Sequence, residues 1–172
     1  MSKYPTDFTL YKMKKEGNGS ALSVSPNFRN KAMYLSLAAQ GGEGKFDWKN
    51  KIVLKLSDSD VASMLAVLSG KMDKHDKIYH EYNDNVTKGG FGKSTKYPGF
   101  GMRLSKGKKG QDPDRTISVF VSTAEAVLLE EVLRHGFRLM LGWDAFATQV
   151  AQEPEPVEVG ATSGGEDDEV FG

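Results

Sequence analysis

Two stretches of the chain, Ile52-Val53-Leu54-Lys55-Leu56-Ser57-Asp58-Ser59-Asp60 and Ile117-Ser118-Val119-Phe120-Val121-Ser122-Thr123-Ala124-Glu125, read alike. Each is a short strand-like run that ends on a serine, with a carboxylate three residues further on. Serine followed at that spacing by an acid is the signature of a capped helix start, so each stretch passes from a strand to a helix. The second stretch lies 65 residues after the first (52 to 117), and the same offset pairs Val67 with Val132 and Leu68 with Leu133. We read two copies of one unit, four strands followed by a helix; the plainer reading is that any strand-to-helix junction takes this form.

The residues on either side fill in the two units. Before the first junction, strand-like alternation occupies Phe8–Met13, Ser20–Ser25, Lys31–Ala38 and Lys45–Leu56. Gly17-Asn18-Gly19 and Gln40-Gly41-Gly42-Glu43-Gly44 punctuate these runs as turns. Val61, Met64, Leu65 and Leu68 then follow at helical spacing, with Gly70 as a stop. Before the second junction the strands are Lys77–Asn83, Lys88–Tyr97, Gly99–Lys106 and Arg115–Val121. The helix after Ser122 carries Val127, Leu128, Leu129, Val132, Leu133, Phe137, Met140 and Leu141, more apolar surface than one narrow stripe. We expect Leu129, Leu133, Phe137, Met140 and Leu141 in a subunit interface, and a bend at Gly136 or Gly142. The expected fold class is α+β, with tandem four-strand-plus-helix units forming two antiparallel sheets packed on a helical core.

The 172 residues divide into residues 1–150, which carry this pattern, and a tail, 151–172. Pro, Gly and one-signed charge mark the tail as disordered. It contributes seven acidic residues and no basic one, leaving 16 acidic against 23 basic in the body. The zero net charge therefore conceals a basic globule with an acidic arm, which suits a polyanionic partner; an unevenly charged soluble protein is the bland alternative. The absence of cysteine fits a reducing compartment. No apolar run approaches the roughly 20 residues of a membrane span, and Met1–Asp7 has no apolar signal core, so a cytoplasmic protein is expected.

Chemistry concentrates between Lys88 and Lys109. Lys88, Lys93, Lys96, Arg103, Lys106, Lys108 and Lys109 are interleaved with Phe91, Tyr97 and Phe100, and no acid lies between Asn85 and Gln111. Cations neutralise phosphates, aromatic faces stack unpaired bases, and the glycines at 89, 90, 92, 99 and 101 leave room for close approach. A solvated hairpin with a lysine-rich edge is the alternative reading of these residues. Gly92-Lys93-Ser94 is not a phosphate loop, because Thr87 stands where the motif needs glycine and a Pro-Gly turn follows instead of a helix. His75, His80 and His135 lack metal-ligand spacing, and no nucleophile has a matched base. We therefore expect no enzyme activity, metal or cofactor.

Lys45-Phe46-Asp47-Trp48-Lys49-Asn50-Lys51 with Ile52–Ser57, Ser122–Leu129, and Leu139-Met140-Leu141-Gly142-Trp143-Asp144-Ala145-Phe146 are together similar to signature segments of the Whirly family. The resemblance spans about residues 8–148. It implies two four-stranded antiparallel sheets held by helices, a homotetramer, and sequence-tolerant binding of single-stranded DNA. The expected nucleic-acid contacts are Trp48, Phe91, Tyr97 and Phe100 as stacking residues, and Lys88, Lys93, Lys96 and Arg103 on phosphates, all but Trp48 from the 88–109 segment. RNA binding and promoter recognition remain alternatives, although no recognition helix is evident. Plant members carry a Lys-Gly-Lys-Ala-Ala-Leu motif where this chain has Asn18-Gly19-Ser20-Ala21-Leu22, without its lysines. The tail resembles that of bacterial single-stranded-DNA-binding proteins, with Asp167, Asp168, Glu169 and Phe171 expected to recruit replication, recombination or repair proteins. A bacterial or phage origin is the corresponding expectation.

A flexible anionic arm competes with nucleic acid for the same cations, most strongly where salt screens least. Deleting residues 151–172 is expected to tighten oligo-dT binding at low salt and to leave the oligomer unchanged. Fluorescence anisotropy and light scattering check the two halves, and a loss of affinity would contradict the reading of the tail.

Overall fold

A computed structural model describes residues 7–42 and 44–143. The acidic arm at 151–172, with Asp167, Asp168, Glu169 and Phe171, lies outside the described residues, as does the Asp144–Phe146 end of the closing motif.

The first unit runs β1 (Phe8–Lys12), β2 (Ser20–Asn27), β3 (Ala32–Ala39), β4 (Ile52–Leu56) and α1 (Asp58–Leu68). The second runs β5 (Lys74–Tyr82), β6 (Asn85–Lys93), β7 (Gly99–Lys108), β8 (Arg115–Ser122) and α2 (Thr123–Leu141). Each set of strands pairs in sequence order into one antiparallel sheet, so the expected repeat of four strands and a helix is present. Short turns suit this meander. Asn83 and Asp84 join β5 to β6 with φ of 47° and 59°, the left-handed pair that a two-residue hairpin demands and that Asn and Asp tolerate.

Register explains which residues are inside. On the first sheet Leu10, Leu22, Leu37 and Ile52 stand in one row, and Val24, Leu35 and Leu54 in the next. On the second, Phe91, Met102 and Val119 form a row, followed by Ile78, Gly89, Leu104 and Ile117. These two apolar faces share one core with Val61, Met64 and Leu65 of α1 and with Leu129 and Leu133 of α2.

Both helices begin with the reciprocal cap expected from sequence. Ser57 accepts from the Asp60 N–H while its own N–H donates to the Asp60 carboxylate at 3.1 Å, and Ser122 and Glu125 repeat the exchange. Each carboxylate also reaches into the other unit. Asp60 accepts from His80 at 2.8 Å and sits 3.3 Å from the ring nitrogen of His75, both on β5. Glu125 forms an ion pair with Lys12 at the end of β1. Thus the cap of each helix holds the first strand of the opposite sheet.

Three expectations are corrected. Lys45–Leu56 is not one strand: Trp48–Asn50 forms a 3-10 turn, fixed by the Asp47 side chain accepting from the Asn50 N–H, and only Ile52–Leu56 joins the sheet. The last helix does not bend at Gly136; it is a single helix of 19 residues that stops at Gly142, whose φ of 74° is left-handed. Leu129 and Leu133 have 0% exposure in the chain's own core, so they are not a free face for another subunit, whereas Phe137, Met140 and Leu141 are only partly buried. Val127 and Leu128, at 61% and 56% exposure, are on the opposite side.

Gly136 has a packing role. A Cβ there would lie 1.9 Å from the sulfur of Met33, which is itself fully buried. Alanine normally favours a helix over glycine by about 1 kcal/mol, but overpacking a core costs about 1–3 kcal/mol. Gly136→Ala should therefore lower the urea midpoint at constant m value. A raised midpoint would mean that Met33 moves aside freely.

Candidate functional site

The outward face of the second sheet is built by the side chains that alternate with the core. Phe120, Gly101, Gly92 and Lys74 form one row across it, and Tyr79, Lys88 and Ser105 form another, with Thr116 beyond Ser105. Between these rows lie Gly90 and Arg103, paired across β6 and β7. Three glycines thus occupy neighbouring places where side chains would otherwise stand. The result is a groove of about 950 Å³ with Gly90, Gly92 and Gly101 in its lining. Lys74, Lys77, Lys88, Lys93 and Arg103 border it together with Tyr79.

The glycines have different reasons to be there. At Gly90 a Cβ would lie 2.9 Å from the His75 carbonyl oxygen, and at Gly92 it would lie 2.8 Å from the Lys74 Cβ. Their absence of a side chain lets β5 press down over β6, helped by the irregular register between His75 and Ile78. At Gly101 a Cβ would meet nothing within 4 Å, so this glycine is an open shelf beside Phe120.

Electrostatics leave the groove cationic. Lys74 pairs with Asp76 and Lys93 with Asp73, and in each case the hydrogen-bonded ammonium holds the carboxyl below its ordinary pKa. Lys77, Lys88 and Arg103 make no ion pair among the described residues. Tyr79 donates its hydroxyl to Glu81 at 3.0 Å; that bond raises the pKa of the phenol. The ring remains 53% exposed, so it presents a face to the groove's rim.

The eight residues chosen from sequence fall in several places. Lys88, Lys93 and Arg103 do border the groove. Phe91 is corrected: although it belongs to the groove's lining, it is 1% exposed and its ring is stacked on Phe100 in the core at 5.6 Å between ring centres, which leaves no free face for stacking a base. Phe100 is partly buried in the same stack. Tyr97 is 59% exposed at the β6–β7 turn, edge-on to Phe120 at 6.3 Å, with the Lys96 ammonium 5.5 Å from its ring centre. Trp48 does not border the groove. It belongs to the first unit, where Tyr11 packs between it and Phe46 at 6.4 and 5.3 Å.

Sequence reasoning missed Lys74, Lys77, Tyr79, Phe120 and Tyr11. A usable signal existed, since Tyr79 is the register partner of Lys88 and Phe120 that of Gly101, but it required the hairpin register first. His75, noted in the sequence only for lacking metal-ligand spacing, is on β5, bordering the groove and held by Asp60.

Chemically, the arrangement offers mobile cations, flat aromatic faces and a side-chain-free floor. Such a set is chemically suited to phosphates and planar bases.

Comparison with known proteins gives a consistent result. A family described as "Whirly transcription factor" matches residues 14–132. The fold is similar to WHY1 from Arabidopsis thaliana, with a TM-score of 0.70 at 19% identity over 88% of this chain and 93% of that one. It is similar to the plant transcriptional regulator PBF-2, with a TM-score of 0.69 at 21% identity over 91% and 92%. A guide-RNA-binding protein complex bound to a guide RNA gives a TM-score of 0.61 at 18% identity over 83% and 96%. No curated protein matches in sequence. At these identities the structural likeness shows a shared fold.

Asp60 provides a test of how the groove's β5 side is held. Burial alone would raise its pKa, but hydrogen bonds from Ser57, His80 and His75 outweigh that and lower it. A depressed carboxyl contributes stability above its unfolded pKa, and this is lost as pH falls through the folded value. Wild-type stability should therefore decline on acidification below about pH 4, near the ordinary value for Asp. Asp60→Asn should cost about 1–3 kcal/mol near neutrality and flatten that decline. Thermal melts across pH 2.5–7 measure both, and an unaltered acid limb in the variant would exclude Asp60 as the responsible group.

Proposed function

Because the chain belongs to the Whirly family, we propose that it binds single-stranded nucleic acid, DNA in the first instance, along the glycine-floored groove of its second sheet. The observation that carries this reading is the coincidence of Lys88, Arg103 and Tyr79 around a floor of three glycines. A duplex keeps its bases stacked and hidden, and its rigid surface makes little use of aromatic faces. A single strand exposes both phosphates and base faces, and each stacked base contributes about 1–3 kcal/mol. Groove contacts of this kind are sequence-tolerant, since cations and flat rings do not distinguish one base edge from another.

A homotetramer belongs to the same proposal. Val127, Leu128 and Trp143 are exposed apolar residues of the last helix and its end, and burying them against further copies removes that surface from water. Action in replication, recombination or repair, with partner enzymes recruited by the acidic tail in a bacterial or phage-infected cytoplasm, completes the reading. An RNA ligand is the second reading, favoured by the similarity to a protein complex bound to guide RNA. The two differ in the 2′-hydroxyl, which a direct comparison of ligands resolves.

Anisotropy titrations of oligo-dT, oligo-rU and a duplex, each at two salt concentrations, form the test. Oligo-dT should bind most tightly, and equally tight duplex binding would overturn the proposal. Lys88→Ala and Arg103→Ala should each make the dependence of log affinity on log salt shallower by about 0.7, the value per phosphate for single strands. Gly101→Val is the complementary change. Its new side chain points into open space, so the melting temperature should hold while the filled shelf weakens binding several-fold.

A further inference from the structure

We propose that the mouth between the two sheets is a second phosphate seat, which takes one phosphodiester of a nucleic-acid strand that runs on from the groove. This inference rests on the nucleic-acid reading above and adds a site to it.

The mouth is a hollow of about 280 Å³ where the start of β4 meets the end of β7 and the start of β8. Lys49 and Lys51 reach it from the 3-10 turn and the residue that ends it, Lys106 from β7 and Arg115 from β8, with Ile52 beneath and Asn50 and Asp114 beside them. Four cations therefore face one carboxylate in the lining. Lys106 and Arg115 are direct register partners, an arrangement of like charges that destabilises an antiparallel pair. Arg115 donates to the Asn50 carbonyl oxygen, a neutral acceptor that orients the guanidinium; the Asn50 amide first, and the Arg115 charge after it, hold the nearby Asp47 carboxyl below its ordinary pKa. Among the described residues Lys49, Lys51 and Lys106 make no ion pair. Asp47, the nearby acid outside the lining, accepts from the Asn50 side-chain amide at 2.8 Å and from its N–H.

Such a cluster is stabilised by an anion, and its composition favours phosphate. An arginine held in a fixed plane bonds two phosphate oxygens at once, and the lysines add point charges around it. Continuity with the groove points to a strand as the source. Lys88, Ser105 and Pro113 border both the groove and a small depression at the β7–β8 turn. Lys106, Asp114 and Arg115 of the mouth are the next residues along the chain on either side of that turn. Successive residues of a strand point to opposite faces, so the mouth opens on the face of the sheet opposite the groove, and a strand that leaves the groove past Lys88 reaches it by rounding the β7–β8 end of the sheet.

The test uses the full chain, oligo-dT and inorganic phosphate. Lys106→Gln and Arg115→Gln should each make the oligo-dT salt dependence shallower by about 0.7, and Arg115→Lys should keep the slope but weaken binding. Without ligand, Lys106→Gln should melt no lower than wild type, because it removes a like-charge pair. If the mouth variants leave slope and affinity unchanged while Lys88→Ala still makes the slope shallower, the second seat is refuted and the groove stands. If Lys88→Ala also has no effect, the groove reading falls with it. If inorganic phosphate raises the melting temperature of wild type but not of Arg115→Gln, and the oligo-dT slopes do not change, the mouth is a free-phosphate site and the strand assignment is overturned.

Discussion

The carboxylate at the third position of each helix joins three things at once. Asp60 closes the cap of α1 and grips two histidines of β5; Glu125 closes the cap of α2 and grips Lys12 of β1. A four-stranded sheet with one apolar face must cover that face, and a single following helix is too narrow to do it. Crosswise gripping places each helix against the opposite sheet as well as its own, so the two units close one core between them. The exchange is reciprocal because the units are built alike, with equivalent carboxylates reaching toward equivalent strands.

The second sheet shows how one hairpin serves both core and surface. Along β6 the inward places hold Gly89 and Phe91, and the outward places hold Lys88, Gly90 and Gly92. A large ring inside and no side chain outside produce a sheet that is thick toward the core and hollow toward solvent. The same alternation that buries Phe91 leaves Gly90 and Gly92 bare on the other face, where β5 presses down, and the open shelf lies at their neighbour Gly101. The aromatic signal and the glycine signal in this segment therefore belong to opposite faces, although in sequence they appear as one mixture.

That mixture explains how much was legible before the structure. The two caps, the repeat of four strands and a helix, and the cationic hairpin were readable, because each depends on neighbours a few residues apart. Phe91 was misassigned because the side it faces is decided by its partner Met102, a contact that composition does not reveal. Trp48, an aromatic of a family-like segment, was grouped with the hairpin's stacking residues, whereas the Asp47–Asn50 turn fixes it near Tyr11 in the first unit. Gly136 suggested a break to local propensity, yet tertiary packing against Met33 uses the missing side chain and the helix continues. Tyr79 and Phe120 escaped notice because the segments that contain them are not conspicuously basic.

The ion pair of Lys12 with Glu125 spans 113 positions, and this separation governs the order in which the protein is made. During synthesis the first sheet leaves the ribosome long before α2 exists, and Met33 waits for Gly136 as Lys12 waits for Glu125. The first unit therefore does not complete its fold as an independent domain while the second is being translated. Its apolar face stays open until nearly all the described chain has emerged, and the final helix acts as the latch for the first strand. Contacts so distant in sequence also slow folding, since a long loop must close before they form. A nascent chain of this design spends its vulnerable interval with a finished sheet and an unfinished core, the stage at which chaperones engage exposed apolar surface.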